Sequence, residues 1–322
     1  MNRPRSVEDG LGHRGSLDCA EGLRYLIVAG TEKAGTTSVY HYLNSHPDVV
    51  GSIRKETDFF RTTSPHALAD YHAHFPLAEP GATLMEASPG YLSESKCVAP
   101  AIAHLLPEAR LLFILREPLE RLLSGFLFHK SRFHIPESLG FDEYIDLCLS
   151  FERGDISEED AGLKAWHLSV VSAGRYAHNL RNFYECFPRE QIKVMTTHRL
   201  QKDSRGFMRD VCSWAELNPD VYERFSFVRS NAGFQPKRAW MQRAGLRLNR
   251  GLEPLFNRHP KIKLLMLNAY KRLNGREDPK PTVSPRTTAA LVEYYASDLA
   301  DLQQMVGTEL AEVEHWLRKY DV

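Results

Sequence analysis

Residues 24–44 read RYLIVAGTEKAGTTSVYHYLN, and the fold turns on this stretch. Residues 25–30 are mostly apolar with no alternation, the pattern of a parallel strand buried on both faces. Thr31, Glu32, Lys33, Ala34 and Gly35 form a short loop, after which Thr36, Thr37 and Ser38 open a helix. Val39 and Leu43 share one face of that helix, and Pro47 stops it soon afterwards. Strand, small-residue loop and helix N-terminus together predict an anion cradle. Amide N–H groups point into the loop, the helix dipole favours negative charge, and three hydroxyls can donate to phosphate oxygens.

Gly30 and Gly35 keep the G-x-x-x-x-G spacing of a Walker A loop, but Thr36 occupies the position of the Walker lysine. The cation lies inside the loop instead, at Lys33. A kinase needs lysine on the β- and γ-phosphates and Ser/Thr on Mg²⁺. Here the positive charge sits earlier, closer to a group leaving from a 5′-phosphate. The arrangement resembles the 5′-phosphosulfate loop of the sulfotransferases that use 3′-phosphoadenosine 5′-phosphosulfate (PAPS). Two other readings stand beside it, a P-loop nucleotide-dependent kinase and a non-catalytic nucleotide-binding protein. The kinase calls for a lysine directly after Gly35 and an acidic residue ending a neighbouring strand.

A second stretch, residues 110–130, reads RLLFILREPLERLLSGFLFHK. Residues 111–115 form another buried strand with Arg116 at its carboxyl end. Pro118 suits the first position of a helix, and Leu119, Leu122, Leu123 and Phe126 make its apolar face. Arg116 and Ser124 can face the first loop, and a guanidinium plus a hydroxyl suits a phosphate dianion. Alternatively, Arg116 pairs with Glu117 or Glu120. Arg116, Pro118, Arg121 and Ser124 look like the 3′-phosphate motif of the same sulfotransferase family. Gly174-Arg175-Tyr176 at a helix start, a strand over 192–196 and a helix after Ser284-Pro285 are also similar to that family. The resemblance spans about residues 23–318.

Several implications follow from the resemblance. The fold is α/β, with a central parallel sheet of P-loop topology, helices on both faces, and a helical cap over about 130–170 and 235–275. PAPS is the co-substrate, the acceptor is a hydroxyl of a glycan or small molecule, and no metal is required. Lys33 neutralises the bridging oxygen; Ala34, Gly35, Thr36, Thr37 and Ser38 hold the 5′-phosphate. Arg116 and Ser124, with Tyr176 nearby, hold the 3′-phosphate side. Glu56, in a Lys-Glu-x-x-Phe-Phe pattern, matches the general base of the glycan branch, and Phe59 and Phe60 give it apolar surroundings. His129, five residues beyond Ser124, is the other candidate base. In Glu86-Ala87-Ser88-Pro89-Gly90-Tyr91, Ala87 replaces a lysine common in that branch.

Bulk properties narrow the classes further. Lysine plus arginine equals aspartate plus glutamate at 41 each, so no global field draws the chain to nucleic acid. Five scattered cysteines without metal-ligand spacing favour a reducing compartment. His66, His72 and His74 have no carboxylate or cysteine to complete a zinc set. No apolar run reaches a membrane span. Residues 1–22 read as a flexible leader without a secretory core, and 23–322 as one domain, which predicts a cytoplasmic protein. Residues 237–263 carry eight Lys/Arg against Glu253, a solvated face or a surface for anionic partners.

Overall fold

The computed structural model describes residues 22–62, 66–228, 235–252, 266, 269–270, 273–276, 281–307 and 310–320. Five strands, β1 (Arg24–Gly30), β2 (Val49–Gly51), β3 (Thr83–Glu86), β4 (Arg110–Leu115) and β5 (Ile192–Thr196), form one sheet in the order β2-β3-β1-β4-β5. Every pairing is parallel. Central β1 and β4 are covered on both sides, so their side chains divide between two cores. Ile27, Ala29, Leu111, Phe113 and Leu115 enter one core, and Leu26, Val28, Leu112 and Ile114 enter the other. This two-sided burial is why neither strand alternates polar with apolar.

The first core is closed by helices Ser95–Leu105, Tyr176–Cys186 and Pro285–Val306, the last through Leu291, Tyr295, Leu299 and Leu302. The second is closed by helices Thr36–Leu43 and Ser204–Trp214 through Val39, Leu43, Phe207, Met208 and Val211. The expected α/β sheet with helices on both faces is therefore the observed architecture. The edge strand β2 is only three residues long, with β3 its single partner in the sheet. Helix Ser95–Leu105 carries Pro100 inside it, held by the buried face of Val98, Ala99 and Ile102.

Within the expected cap, helix Phe141–Arg153 and the short helix Ala165–Leu168 pack on the first core. Helix Ala239–Gly251 is tied to the end of helix Pro118–Ser131 by Gln242 Nε2, which donates to the Ser131 carbonyl at 3.0 Å. Residues 1–21 of the leader, and residues 253–263 of the basic segment, lie outside the described residues. No described helix is long and apolar enough to cross a membrane.

Candidate active site

All the predicted loops meet at the carboxyl rim of the sheet, where an open parallel α/β sheet binds ligands. Gly30 ends β1 against Leu92, and a Cβ placed on it would stand 2.6 Å from the Leu92 Cβ. The loop then turns through Lys33, whose φ of 66° costs a lysine about 1–2 kcal/mol. Gly35 follows at φ 93° and serves as the helix N-cap without a side-chain hydrogen bond. From behind, Thr197 Oγ1 donates to the carbonyls of Ala34 (2.8 Å) and Leu115 (3.1 Å), locking the loop to the end of β4. The Ala34 amide is occupied by the Thr31 carbonyl at 3.3 Å. The amides of Gly35, Thr36 and Thr37 have no hydrogen-bond partner among the described residues. These are orphan donors of a helix start, aimed outward with the positive end of the dipole.

Lys33 lies on helix Pro118–Ser131. Its Nζ stands 3.8 Å from the Phe128 ring centroid, and a methyl on Gly125, the residue after Ser124, would approach its Cγ at 3.9 Å. Burial pulls the ammonium down to about 8; Glu32 opposes the shift, whereas Arg132 and Arg116 reinforce it. Glu32 is raised, mainly because the cleft encloses it, although water still reaches its side chain. Arg121, Arg61 and Lys33 hold it back, and Glu56 adds to the rise.

Arg116 leaves the end of β4 and donates from Nη1 to the Lys33 carbonyl at 3.0 Å. It also pairs with Glu120 at 3.3 Å. Glu117 is engaged elsewhere, accepting from the Leu119 (3.3 Å) and Glu120 (2.7 Å) amides as N-cap, and from the Tyr320 hydroxyl. Tyr176, read from sequence as a nucleotide contact, is fully buried. Its hydroxyl donates to the Arg116 carbonyl at 2.6 Å, so it supports the arginine from behind and does not face the cleft. Arg121 is buried too, bonded to the Val170 carbonyl, with its Nε unpaired.

Glu56 follows β2 on a loop stitched to residues 86–91. The Ala87 amide donates to the Lys55 carbonyl at 3.0 Å, and the Asp58 amide to Ser88 Oγ at 3.2 Å. Thr57 donates to Glu86, and the Phe60 amide to the Tyr91 hydroxyl at 3.3 Å. The Glu56 carboxylate itself is half exposed and accepts from Lys55 Nζ at 2.6 Å. Phe60 is turned inward against Tyr71 and Tyr91, and Phe59 packs on Phe60, His66, Tyr71 and His74. The expected apolar enclosure of Glu56 is therefore not what these rings provide. Glu56 is near enough to Lys33, Glu32 and Arg132 to interact electrostatically with each.

Sequence reasoning missed Glu86 at the end of β3. It is fully buried and pushed up to about 7 by desolvation. Ser88 Oγ at 2.8 Å and the Tyr91 hydroxyl at 3.2 Å donate to it alongside Thr57 and pull the other way. The Tyr71 hydroxyl interacts with it without making a hydrogen bond. Glu32, read only as a loop residue, and Arg132, which folding brings to the loop, were given no role from sequence. His129 is buried, its Nδ1 3.3 Å from that of His134. Burial and His167 push it down to about 3. A depression of 180 Å³ beside Arg24, Tyr25 and Arg110 is at the opposite, amino end of the sheet from this chemistry.

Comparison with known proteins agrees with this geometry. The family model described as "Sulfotransferase domain" matches residues 23–239. Mouse heparan sulfate glucosamine 3-O-sulfotransferase 3B1 is 28% identical over 210 residues, 65% of this chain and 50% of that protein. Human bifunctional heparan sulfate N-deacetylase/N-sulfotransferase 2 is 25% identical over 305 residues, 92% of this chain and 31% of that protein. The chain thus spans about half the length of the 3-O-sulfotransferase relatives it matches. A sulfotransferase structure from Alicyclobacillus acidocaldarius superposes with a TM-score of 0.61 at 20% identity, covering 90% of this chain and 98% of that one, which speaks for the fold. On the family match over most of its length, this chain belongs to the sulfotransferase domain family.

Proposed function

We propose that the chain transfers a sulfuryl group from PAPS to a hydroxyl of a sugar or small-molecule acceptor. One observation carries the reading: orphan amides, a partly desolvated lysine and a strand-end arginine converge on a single rim. Bound PAPS would supply the sulfuryl group and leave as a bisphosphate nucleotide. The amides of Gly35, Thr36 and Thr37, with the hydroxyls of Thr36, Thr37 and Ser38, hold the 5′-phosphate. Lys33 stabilises the charge that grows on the departing oxygen, where a fixed cation in a desolvated site acts most strongly. Arg116 and Ser124 hold the 3′-phosphate. Glu56 takes the acceptor proton, its carboxylate half exposed beside Lys55. His129 is the less apt base, being buried against His134. Free Cys97, Cys148, Cys186 and Cys212 support a cytoplasmic setting.

Thermal shift is the direct test. Adenosine 3′,5′-bisphosphate should stabilise the protein, and ATP·Mg²⁺ should not; the opposite ranking points to a kinase. Incubation with labelled PAPS and a metabolite extract then identifies the acceptor as the mass that gains a sulfate.

A further inference from the structure

His129, His134 and His167 come from three places in the chain. His129 is in the last turn of helix Pro118–Ser131, His134 lies just beyond that helix, and His167 sits in the short helix Ala165–Leu168. We propose that these three imidazoles form a binding site for one divalent transition-metal ion of the Zn²⁺ and Co²⁺ type. Each offers one ring nitrogen, and the three nitrogens lie within 4.8 Å of one another. Two Nδ1 atoms, of His129 and His134, already stand 3.3 Å apart. A tetrahedral ion with metal–nitrogen bonds of about 2.0–2.1 Å sets its ligand nitrogens about 3.3 Å apart. The two edges to His167 are within 4.8 Å and shorten on binding.

A second observation points to a ligand. His167 is 4% exposed, and both its ring nitrogens are buried without a hydrogen-bond partner. Burying a polar group without a partner is costly, so native proteins rarely leave one. A metal bond satisfies one of these nitrogens.

The backbone prepares the site. The His134 amide donates to the His129 carbonyl at 3.0 Å, with Phe133 turned to φ 60° to close the chain back on the helix. The His167 carbonyl accepts from the Tyr144 hydroxyl at 2.5 Å, and its amide donates to the Lys164 carbonyl at 2.8 Å. The Trp166 ring packs on the His167 ring at 3.5 Å between centroids. Entry is open from one side, because exposed His134 lines a depression of 340 Å³ with Phe133, Glu137 and Arg243.

Three neutral nitrogens leave the ion with its full charge and a fourth position for water or an anion. The histidine trio that the sequence brought forward is occupied differently. His72 bonds the Tyr25 hydroxyl at 2.9 Å, while the rings of His66 and His74 pack on Phe59.

The test uses the untagged full chain, stripped with a chelator and titrated with Co²⁺. We expect visible d–d absorption of a low-coordinate Co²⁺ site, about one equivalent by elemental analysis, and loss of the band when Zn²⁺ is added. His134→Ala, at an exposed position, should keep the circular dichroism spectrum and weaken Co²⁺ binding at least about 10–100-fold, the cost of losing even an outer-shell partner. His167→Gln should weaken it likewise. Absence of the band and of bound metal in the wild type overturns the site. So does unchanged Co²⁺ binding in a folded His134→Ala protein. Neither readout depends on sulfuryl transfer.

Discussion

Glu86 offers a sharp test of the rim's electrostatics. Its carboxyl ionises at about 7 in the folded protein, against 4.5 when solvated. The folded state therefore keeps the proton where the unfolded chain has released it. The stabilisation tied to this proton is complete below pH 4.5 and is lost as pH rises through 7. At about 1.4 kcal/mol per pH unit, the window from 4.5 to about 7 comes to about 3 kcal/mol. Glu86→Gln keeps an acceptor oxygen for Thr57 and Ser88 but cannot ionise. Urea unfolding of both proteins across pH 4.5–7.5 isolates the effect, because other titrating groups cancel in the difference. The wild type should lose about 3 kcal/mol relative to the glutamine variant as pH rises. A flat difference would mean that burial does not govern Glu86. A difference of opposite slope would mean that its three donors hold it ionised and that the balance of desolvation and hydrogen bonding is misjudged.

Lys33→Ala should lower kcat by at least about 10²–10³ while keeping nucleotide affinity within about tenfold, because the leaving charge is fully developed only in the transition state. In the wild type, kcat/KM should fall as pH rises through about 8, where free Lys33 loses its proton; a profile level to pH 9.5 would contradict this. Arg116→Ala should chiefly weaken binding of adenosine 3′,5′-bisphosphate by calorimetry, since the 3′-phosphate does not change charge in the reaction. Glu56→Gln should cost about 10²–10⁴ in kcat at saturating donor with donor binding intact, and an equal loss in His129→Asn alone would move the base to that histidine.

The strand, loop and helix of residues 24–44 were legible in the sequence because their determinants are local. An unalternating apolar run can only be buried on both faces, Gly30 and Gly35 occupy positions that no side chain fits well, and Pro118 starts a helix where its missing N–H is harmless. Lys33 and Arg116 could be named for the same reason: each lies just past the end of a predicted strand, on the rim that this topology exposes, whereas Glu56 was named from its Lys-Glu-x-x-Phe-Phe pattern. The tertiary structure decided what those groups meet. Tyr176 is sixty residues from Arg116 in sequence, and only packing puts its hydroxyl on the Arg116 carbonyl and takes it out of the cleft. Phe59 and Phe60 turned into the core and away from Glu56, because the rings of Tyr71 and Tyr91 were there to cover them. Glu86 keeps its proton because packing buries it completely, against the pull of the Thr57 and Tyr91 hydroxyls that reach it from two other segments. His129, His134 and His167 have no motif spacing, and only the fold of the cap brings their nitrogens together. Elements are written in near-neighbour patterns; desolvation and side-chain convergence depend on segments far apart in the chain, which no local pattern records.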